Sequence, residues 1–134
     1  MAHRKLFLDD IRKPYDITWD VVRDYDSFVQ FINEQGCPDV ISFDHDLAFE
    51  RYPLGEQDPT LTIPYEQHVE KSGWHAAKWL VENGHIPQLA IIHSMNIVGA
   101  KNIFNVLNAA GIQSVIQVYN PNKPIRIARG ERKG

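Results

Sequence analysis

Residues 40–47, V-I-S-F-D-H-D-L, predict a buried strand that ends in reactive side chains. A short, mostly apolar run between turn signals is typical of a strand covered on both faces of a parallel sheet. The run leads directly into Asp44, His45 and Asp46. Because ligands bind open α/β sheets at the carboxyl ends of their strands, we expect this stretch to carry two carboxylates and an imidazole to a binding edge.

Two further apolar runs, residues 5–10 and 89–96, also end in polar side chains. The polar residues that close them are Asp9, Asp10, His93, Ser94 and Asn96. In a parallel sheet the carboxyl ends of neighbouring strands meet at one edge. Three strand ends with carboxylates, imidazoles and hydrogen-bonding groups therefore predict a single functional site at that edge.

The rest of the chain alternates between helical and extended patterns. Apolar residues recur at helical spacing in about 26–35, 73–83 and 96–110, and Asp26 and Ser72 are the predicted N-caps of the first two helices. Strand-like runs cover residues 6–8, 19–24, 40–43, 89–93 and 114–119. This order predicts an α/β fold, a doubly wound, five-stranded parallel sheet in the flavodoxin-like order 2-1-3-4-5 with helices on both faces.

Residues 48–72 interrupt this alternation. They contain Pro53, Pro59 and Pro64 and show no clear period, which predicts a long loop inserted after the third strand. Loops of this length are usually active-site lids or disordered segments. Since this one begins beside the polar end of the central strand, a lid over the site is the favoured interpretation.

Length and composition indicate a single domain over residues 1–134. With 43% hydrophobic and 23% charged residues, the chain has the balance of a globular protein that buries one core. No apolar run approaches the roughly 20 residues of a membrane helix, and the N-terminus lacks a signal-peptide pattern. Cys37 is the only cysteine, which excludes a disulfide within one chain. We therefore expect a cytoplasmic protein without a membrane partner.

The basic residues are concentrated near the C-terminus. Residues 123–134 carry five basic and one acidic side chain, a net charge of +4, whereas residues 1–122 carry nine basic and sixteen acidic ones, a net charge of −7. A basic tail on an acidic body suits a partner that bears phosphate. A solvated terminus explains the same pattern, and the sequence leaves both interpretations open.

The carboxylates of Asp9, Asp10 and Asp44 are the candidate metal ligands. Several negative charges in one crevice repel one another unless a cation lies between them. A hard divalent ion with oxygen ligands, Mg²⁺ or Mn²⁺, meets that requirement. The alternative is that these aspartates only cap helices or turns, but two acidic strand ends at one switch point favour the metal site.

His45 and His93 are the candidate acid–base residues, because histidine exchanges protons near neutral pH. Asp46 could orient His45 or a metal-bound water. Ser94 and Asn96 could donate hydrogen bonds to phosphate oxygens, although Asn96 would serve equally well as a helix cap. The sequence contains no P-loop, dinucleotide-binding or α/β-hydrolase motif.

This pattern resembles the response-regulator receiver domain. Asp9 and Asp10 follow strand one, Asp44 follows strand three, Ser94 follows strand four, and an X-Pro follows strand five. In that family the first acidic pair and the strand-three aspartate bind Mg²⁺, and the latter accepts a phosphoryl group. The lysine that precedes the proline in receivers falls on Asn120 here, which counts against phosphorylation as the function.

Three separated motifs resemble more closely a receiver-derived family, the cyclic-phosphate processing receiver domains. The motifs are L-D-D-x-R-x-P at 8–14, S-F-D-H-D-L at 42–47 and H-S-M-N at 93–96. They agree with that family in order and spacing. The resemblance implies a receiver-like fold and an activity on cyclic phosphate ends or nucleotides, and it adds Arg12 to Ser94 and Asn96 as a candidate for substrate binding.

Three functions are compatible with the sequence. The favoured one is a metal-dependent phosphoesterase that processes a cyclic phosphate on a small nucleotide or an RNA terminus, with His45, His93 and Asp46 in proton transfer. The second is a signalling module phosphorylated on Asp44. The third is a module that binds a phosphorylated nucleotide or RNA end without turnover, with which the basic tail is compatible. No pattern indicates a reader of DNA sequence.

Overall fold

The mostly apolar strand Val40–Phe43 lies at the centre of a five-stranded parallel sheet. The computed structural model describes residues 4–10, 12, 14, 18–45, 71–94 and 96–117. In chain order the elements are β1 (Lys5–Leu8), β2 (Asp20–Val22), α1 (Tyr25–Gln35), β3 (Val40–Phe43), α2 (Gly73–Glu82), β4 (Leu89–Ile92), α3 (Ile97–Ala109) and β5 (Ser114–Ile116). The predicted alternation of strands and helices is confirmed.

The strands lie in the predicted order, β2-β1-β3-β4-β5, and every neighbouring pair is parallel. The register places Leu8 opposite Phe43 and Phe43 opposite Ile92. The amide of Asp44 donates to the carbonyl of Leu8 at 2.9 Å, and the amide of His93 donates to the carbonyl of Phe43 at 2.9 Å. The residues that follow β1, β3 and β4 therefore lie side by side at the carboxyl edge of the sheet.

All three described helices pack on one face of the sheet. Their buried side chains join the larger apolar cluster, whose helical members are Phe28, Ile32, Ala76, Ala77, Leu80, Ala100, Ile103 and Leu107. The opposite face carries a smaller cluster of Phe7, Trp19, Val40, Leu89 and Ile91. None of the described helices packs on this second face. Burial on both faces explains the mostly apolar sequences of the three inner strands β1, β3 and β4.

Helix α1 begins two residues earlier than the sequence predicts. Its N-cap is Asp24 and not Asp26, because Asp24 has extended φ and ψ of −152° and 176° and its carboxylate accepts a hydrogen bond from the amide of Ser27. Asp26 lies in the first turn, where a negative charge interacts favourably with the helix dipole. Strand β2 is correspondingly shorter than the predicted run 19–24.

The other two helices begin where the sequence predicts. The Ser72 hydroxyl caps α2 by accepting a hydrogen bond from the amide of Trp74, and the ring of His75 accepts one from the amide of Ser72. Asn96 caps α3 by accepting a hydrogen bond from the amide of Gly99 at 2.9 Å. Of the two roles open to Asn96, the helix cap is therefore observed.

Two sequence-based expectations fall mostly outside the described residues. The predicted lid, residues 48–72, lies outside them up to residue 70, and the basic tail, residues 123–134, lies outside them entirely. Asp46 is also outside the described part of the chain. Among the described helices, none has the length and apolar character that crossing a membrane requires.

Candidate functional site

Asp9, Asp44 and His93 converge at the carboxyl edge of the sheet. Each directly follows the last residue of β1, β3 or β4, and one ligand atom from each lies within 4.8 Å of the others. Their exposed fractions are 0%, 4% and 1%. Buried polar groups are stable only with partners, so the neighbours of these three side chains define what the site can do.

The imidazole of His93 is held on three sides. Its Nε2 lies 3.0 Å from Oδ2 of Asp9, its Nδ1 lies 2.6 Å from the hydroxyl of Ser42, and its ring stacks on Phe7 with 4.5 Å between centroids. An ionised carboxylate only accepts hydrogen bonds, so Nε2 is the protonated nitrogen facing Asp9. In the neutral ring Nδ1 then accepts the hydroxyl proton of Ser42, and both ring nitrogens are engaged.

Burial dominates the protonation of His93. Removal from water lowers the pKa of the imidazole below its ordinary value, and the hydrogen bond to Asp9 opposes that shift without reversing it. The ring is therefore neutral at neutral pH. Both nitrogens of this neutral imidazole are hydrogen-bonded within the protein and the side chain is 1% exposed, so exchange of protons with solvent is restricted.

Arg12 supplies positive charge to the two carboxylates. Its Nη1 lies 3.8 Å from Oδ2 of Asp9 and 3.8 Å from Oδ1 of Asp44, and its backbone amide donates to Oδ1 of Asp9 at 2.8 Å. The guanidinium of Arg23 in turn donates to the backbone carbonyls of Asp9 and Arg12. Arg12 thus offsets the repulsion between Asp9 and Asp44, while its side chain stays 29% exposed.

The group of Asp9, Asp44 and His93 has the chemistry of a metal centre. Ligands bound to one ion at about 2.1 Å and at right angles to each other are about 3 Å apart. The 3.0 Å separation of the Asp9 oxygen and the His93 nitrogen is that of the hydrogen bond described above, and the same distance is compatible with two ligands of one ion. These two buried carboxylates and this imidazole are residue types that could together hold a metal ion. Asp10 is half-buried and lies outside this group, so its proposed ligand role stays a prediction.

His45 is fully buried against the first turn of α3. A Cβ atom on Gly99 would lie 2.3 Å from Cγ of the His45 ring, so the glycine leaves the space that this imidazole fills. Gly73 acts similarly at the start of α2, where a Cβ would lie 1.8 Å from the carbonyl oxygen of Asp44. The amide of Gly73 donates to the carbonyl of His45 at 2.8 Å. The start of α2 therefore packs against the backbone of residues 44 and 45, and the start of α3 packs against the ring of His45.

Ser94 directly follows His93 in the chain, and Asn96 is the N-cap of α3. The amide of Asn96 donates to the hydroxyl of Ser94 at 3.1 Å, and both side chains are buried. Their predicted contacts with a phosphate, like that of Arg12, stay predictions. The same holds for the proton-transfer roles of His45, His93 and Asp46.

The sequence patterns did not identify Ser42, Gly73 and Gly99 as parts of the site. Each carries a signal in retrospect: Ser42 is a polar residue inside an apolar strand, and the two glycines occupy helix positions where alanine would be more stable. The partners of these residues are distant in sequence, so the signal becomes interpretable only once the register of the strands is known.

Comparison with known proteins supports the resemblance that the motifs suggest. A family model described as a cyclic-phosphate processing receiver domain matches residues 4–109. The match includes the described site residues and all elements from β1 to α3. No curated protein and no solved structure gave a match.

Proposed function

Because the chain belongs to the family of cyclic-phosphate processing receiver domains, we propose that it is a metal-dependent phosphoesterase that opens a cyclic phosphate on a nucleotide or an RNA end. The observation that supports this most is the group of Asp9, Asp44 and His93 at the carboxyl edge of the sheet. Ligands of open α/β sheets bind at that edge. The group also lies within the residues that the family model matches.

The carboxylates are the proposed ligands of Mg²⁺ or Mn²⁺. Asp9 and Asp44 are placed to hold the ion, and Asp10 is a third proposed ligand from the adjoining turn. When bound, such an ion offsets the charge of the phosphate and lowers the pKa of water. The carboxylates also fix the position of the ion relative to the three strand ends, which sets where a phosphate can approach.

Arg12, Ser94 and Asn96 are the proposed substrate-binding residues. The guanidinium of Arg12 is partly exposed and lies between the two carboxylates, and its planar fork suits phosphate oxygens. Ser94 lies where α3 begins, and the N-terminus of a helix favours an anion. A phosphate bound there would contact a cation on one side and the start of a helix on the other.

His45 is the proposed residue for proton exchange with the attacking water and the leaving hydroxyl, and Asp46 is proposed to orient it. An alkoxide is a poor leaving group, so ring opening requires a proton at the leaving oxygen. His93 is less suited to this task, because Asp9 and Ser42 engage both of its nitrogens. Its position favours contact with the metal instead.

The test is an assay of the purified full chain with a panel of cyclic phosphates. The panel contains 2′,3′-cyclic and 3′,5′-cyclic mononucleotides and an RNA with a 2′,3′-cyclic phosphate end, each with Mg²⁺ or Mn²⁺. Chromatography separates the opened monophosphates from the rings. We expect metal-dependent opening of at least one member and its loss in Asp44→Asn. A chain that opens none of these substrates with either metal would contradict the proposal.

A signalling module phosphorylated on Asp44 is the second candidate. The position of Asp44 directly after β3 in a receiver-like sheet favours it, whereas Asn120 in place of the receiver lysine weighs against it. Incubation with a small phosphodonor, followed by mass measurement, tests for a phosphoaspartate. A chain that forms one and opens no cyclic phosphate is a signalling module, and a chain that binds nucleotides without either reaction is a binding module.

A further inference from the structure

Ser42 is a polar residue in the middle of an otherwise apolar, fully buried strand. It lies in β3 between Ile41 and Phe43, and its own exposure is zero. A buried hydroxyl costs free energy unless it forms a hydrogen bond. Here the hydroxyl faces Nδ1 of His93 at 2.6 Å across to the neighbouring strand β4. The serine is therefore explained by the imidazole and not by the packing of the sheet.

We propose that Ser42 is a positioning residue that presents His93 as a metal ligand through Nε2, so that the centre consists of two carboxylates and one imidazole. This inference rests on the metal dependence of the proposed function. Nδ1 bonds the hydroxyl of Ser42, and Nε2 is the nitrogen that faces Asp9, in the group that also contains Asp44. A second hydrogen bond of this kind fixes the ring of a metal-binding histidine in many metal sites.

A hydroxyl can pair with the imidazole both without and with a bound metal, because it can either donate or accept a hydrogen bond. Without metal, Nε2–H donates to Asp9 and the hydroxyl of Ser42 donates to Nδ1. When an ion binds Nε2, the proton on Nε2 is lost and a proton is taken up on Nδ1, which then donates to the oxygen of Ser42. The ring stays neutral and the number of bound protons is unchanged. The stack on Phe7 holds the ring plane throughout.

An imidazole ligand changes which ion the site prefers. Mg²⁺ favours oxygen ligands, whereas imidazole suits the later first-row transition metals, whose affinity for mixed nitrogen and oxygen sites rises from Mn²⁺ to Co²⁺. A receiver-like site of carboxylates alone follows the same order, but we expect it to discriminate less between Co²⁺ and Mg²⁺ than a site with an imidazole ligand. The structure therefore assigns this centre to a transition metal, with Co²⁺ and Mn²⁺ bound more tightly than Mg²⁺.

The first experiment detects the nitrogen ligand directly. The metal-stripped full chain is loaded with Mn²⁺, and pulsed electron paramagnetic resonance measures the coupling of the ion to nitrogen-14. We expect a coupling in the wild-type protein that disappears in His93→Gln, in which an oxygen can replace Nε2 at similar reach. His85→Gln is the matched control, because this histidine stacks on Trp79 on the far end of α2. Absence of the coupling in wild-type protein that binds Mn²⁺ would overturn the inference.

The second experiment measures metal preference by calorimetry with Co²⁺ and Mg²⁺. Wild-type protein should bind Co²⁺ more tightly than Mg²⁺ by about tenfold or more, and His93→Gln should remove most of that preference. Ser42→Ala should weaken Co²⁺ binding roughly 10- to 100-fold, as loss of an outer partner does, while Ser42→Thr keeps the hydroxyl and should restore it. An unchanged preference in a folded His93→Gln protein would contradict the proposal. If that variant does not fold, the nitrogen coupling of the wild-type protein decides.

Failure of the inference and failure of the proposed function are separable. If the chain binds Mn²⁺ through nitrogen and opens no cyclic phosphate, the role of His93 as a ligand is supported and the phosphoesterase activity is rejected. If the chain opens cyclic phosphates and shows no nitrogen coupling, the phosphoesterase activity is supported and the metal is held by oxygen ligands alone.

Discussion

The carboxylate of Asp44 lies 3.8 Å from Arg12 and shares its site with Asp9 and His93. Replacement of Asp44 by asparagine keeps the size of the side chain and removes its charge. Divalent-ion affinity should fall by at least the roughly 10- to 100-fold that loss of an outer partner costs. The metal-free variant should unfold at the same or a higher temperature, because repulsion from Asp9 is relieved.

Calorimetry with Mn²⁺ measures the affinity of the Asp44→Asn variant, and a thermal melt in the presence of a chelator measures its metal-free stability. Asp20→Asn provides the control, since Asp20 is exposed on β2 and its loss should leave metal affinity unchanged. Equal Mn²⁺ affinity in Asp44→Asn and wild-type protein would reject Asp44 as a ligand.

Arg12 occupies the position of a counter-ion for the same two carboxylates. A cation that neutralises Asp9 and Asp44 competes with a metal ion for their charge, and once a metal replaces it there the guanidinium of Arg12 can turn to a phosphate. Arg12→Ala should therefore raise metal affinity by about three- to tenfold and weaken binding of inorganic phosphate to the metal-loaded protein. Arg12→Lys retains the charge and should change metal affinity less than Arg12→Ala does.

Two calorimetric titrations of Arg12→Ala test these predictions. One with Mn²⁺ measures the expected rise in metal affinity, and one with phosphate in excess Mn²⁺ measures the expected fall in phosphate affinity. The two effects have opposite signs, which general unfolding of the variant does not produce. A variant that loses affinity for both would show that Arg12 supports the metal site instead of competing with the ion.

At the scale of elements, the close approach of α3 to β3 depends on Gly99. Alanine at this position would gain up to about 1 kcal/mol of helix propensity, but its Cβ would lie 2.3 Å from a ring atom of His45 that is fully buried. Overpacking of this kind costs about 1–3 kcal/mol. The cost of the clash should therefore exceed the gain in helix propensity. Gly99→Ala is expected to lower the free energy of unfolding.

Denaturant unfolding measures the effect of Gly99→Ala. Asn105→Ala is the matched change, because Asn105 lies on the exposed side of the same helix and alanine there should be neutral or stabilising by up to about 0.7 kcal/mol. A Gly99→Ala variant as stable as Asn105→Ala would mean that His45 moves away without cost.

The start of α1 tests which aspartate caps the helix. Asp24→Ala should cost about 0.5–2 kcal/mol of stability, because it removes the acceptor of the Ser27 amide. Asp26→Ala removes only a favourable interaction with the helix dipole, worth about 0.3–1 kcal/mol. Chemical unfolding of the two variants gives the comparison. A larger loss for Asp26→Ala would contradict the observed cap.

The elements themselves were largely predictable because each one carries a local signal. The strands β1, β3 and β4 are mostly apolar runs, and Ser72 and Asn96 precede helices as cap residues usually do. The wrong prediction of Asp26 as the N-cap of α1 has a physical cause. Asp24 and Asp26 both fit the rule for a helix start, and the choice depends on where β2 ends, which is decided by pairing with β1.

At the scale of the whole molecule, strand order explains how much of the site the sequence predicts. Once β1, β3 and β4 are neighbours, the residues after them must meet, and Asp9, Asp44 and His93 do so. The role of Ser42 was not predictable in the same way. Its partner His93 is 51 residues away, and only the register of β3 against β4 brings hydroxyl and imidazole together. The match of the family model supports the fold and leaves the reaction to experiment.

The central claim is that this chain opens a cyclic phosphate with a metal held by Asp9 and Asp44. The most direct measurement is the rate at which the purified chain converts a 2′,3′-cyclic nucleotide to its monophosphate, with Mn²⁺, with a chelator, and with Asp44→Asn in place of the wild type. We predict turnover only for the wild-type chain with Mn²⁺. Turnover that persists with the chelator and in Asp44→Asn, or no turnover in any of the three, would contradict the account.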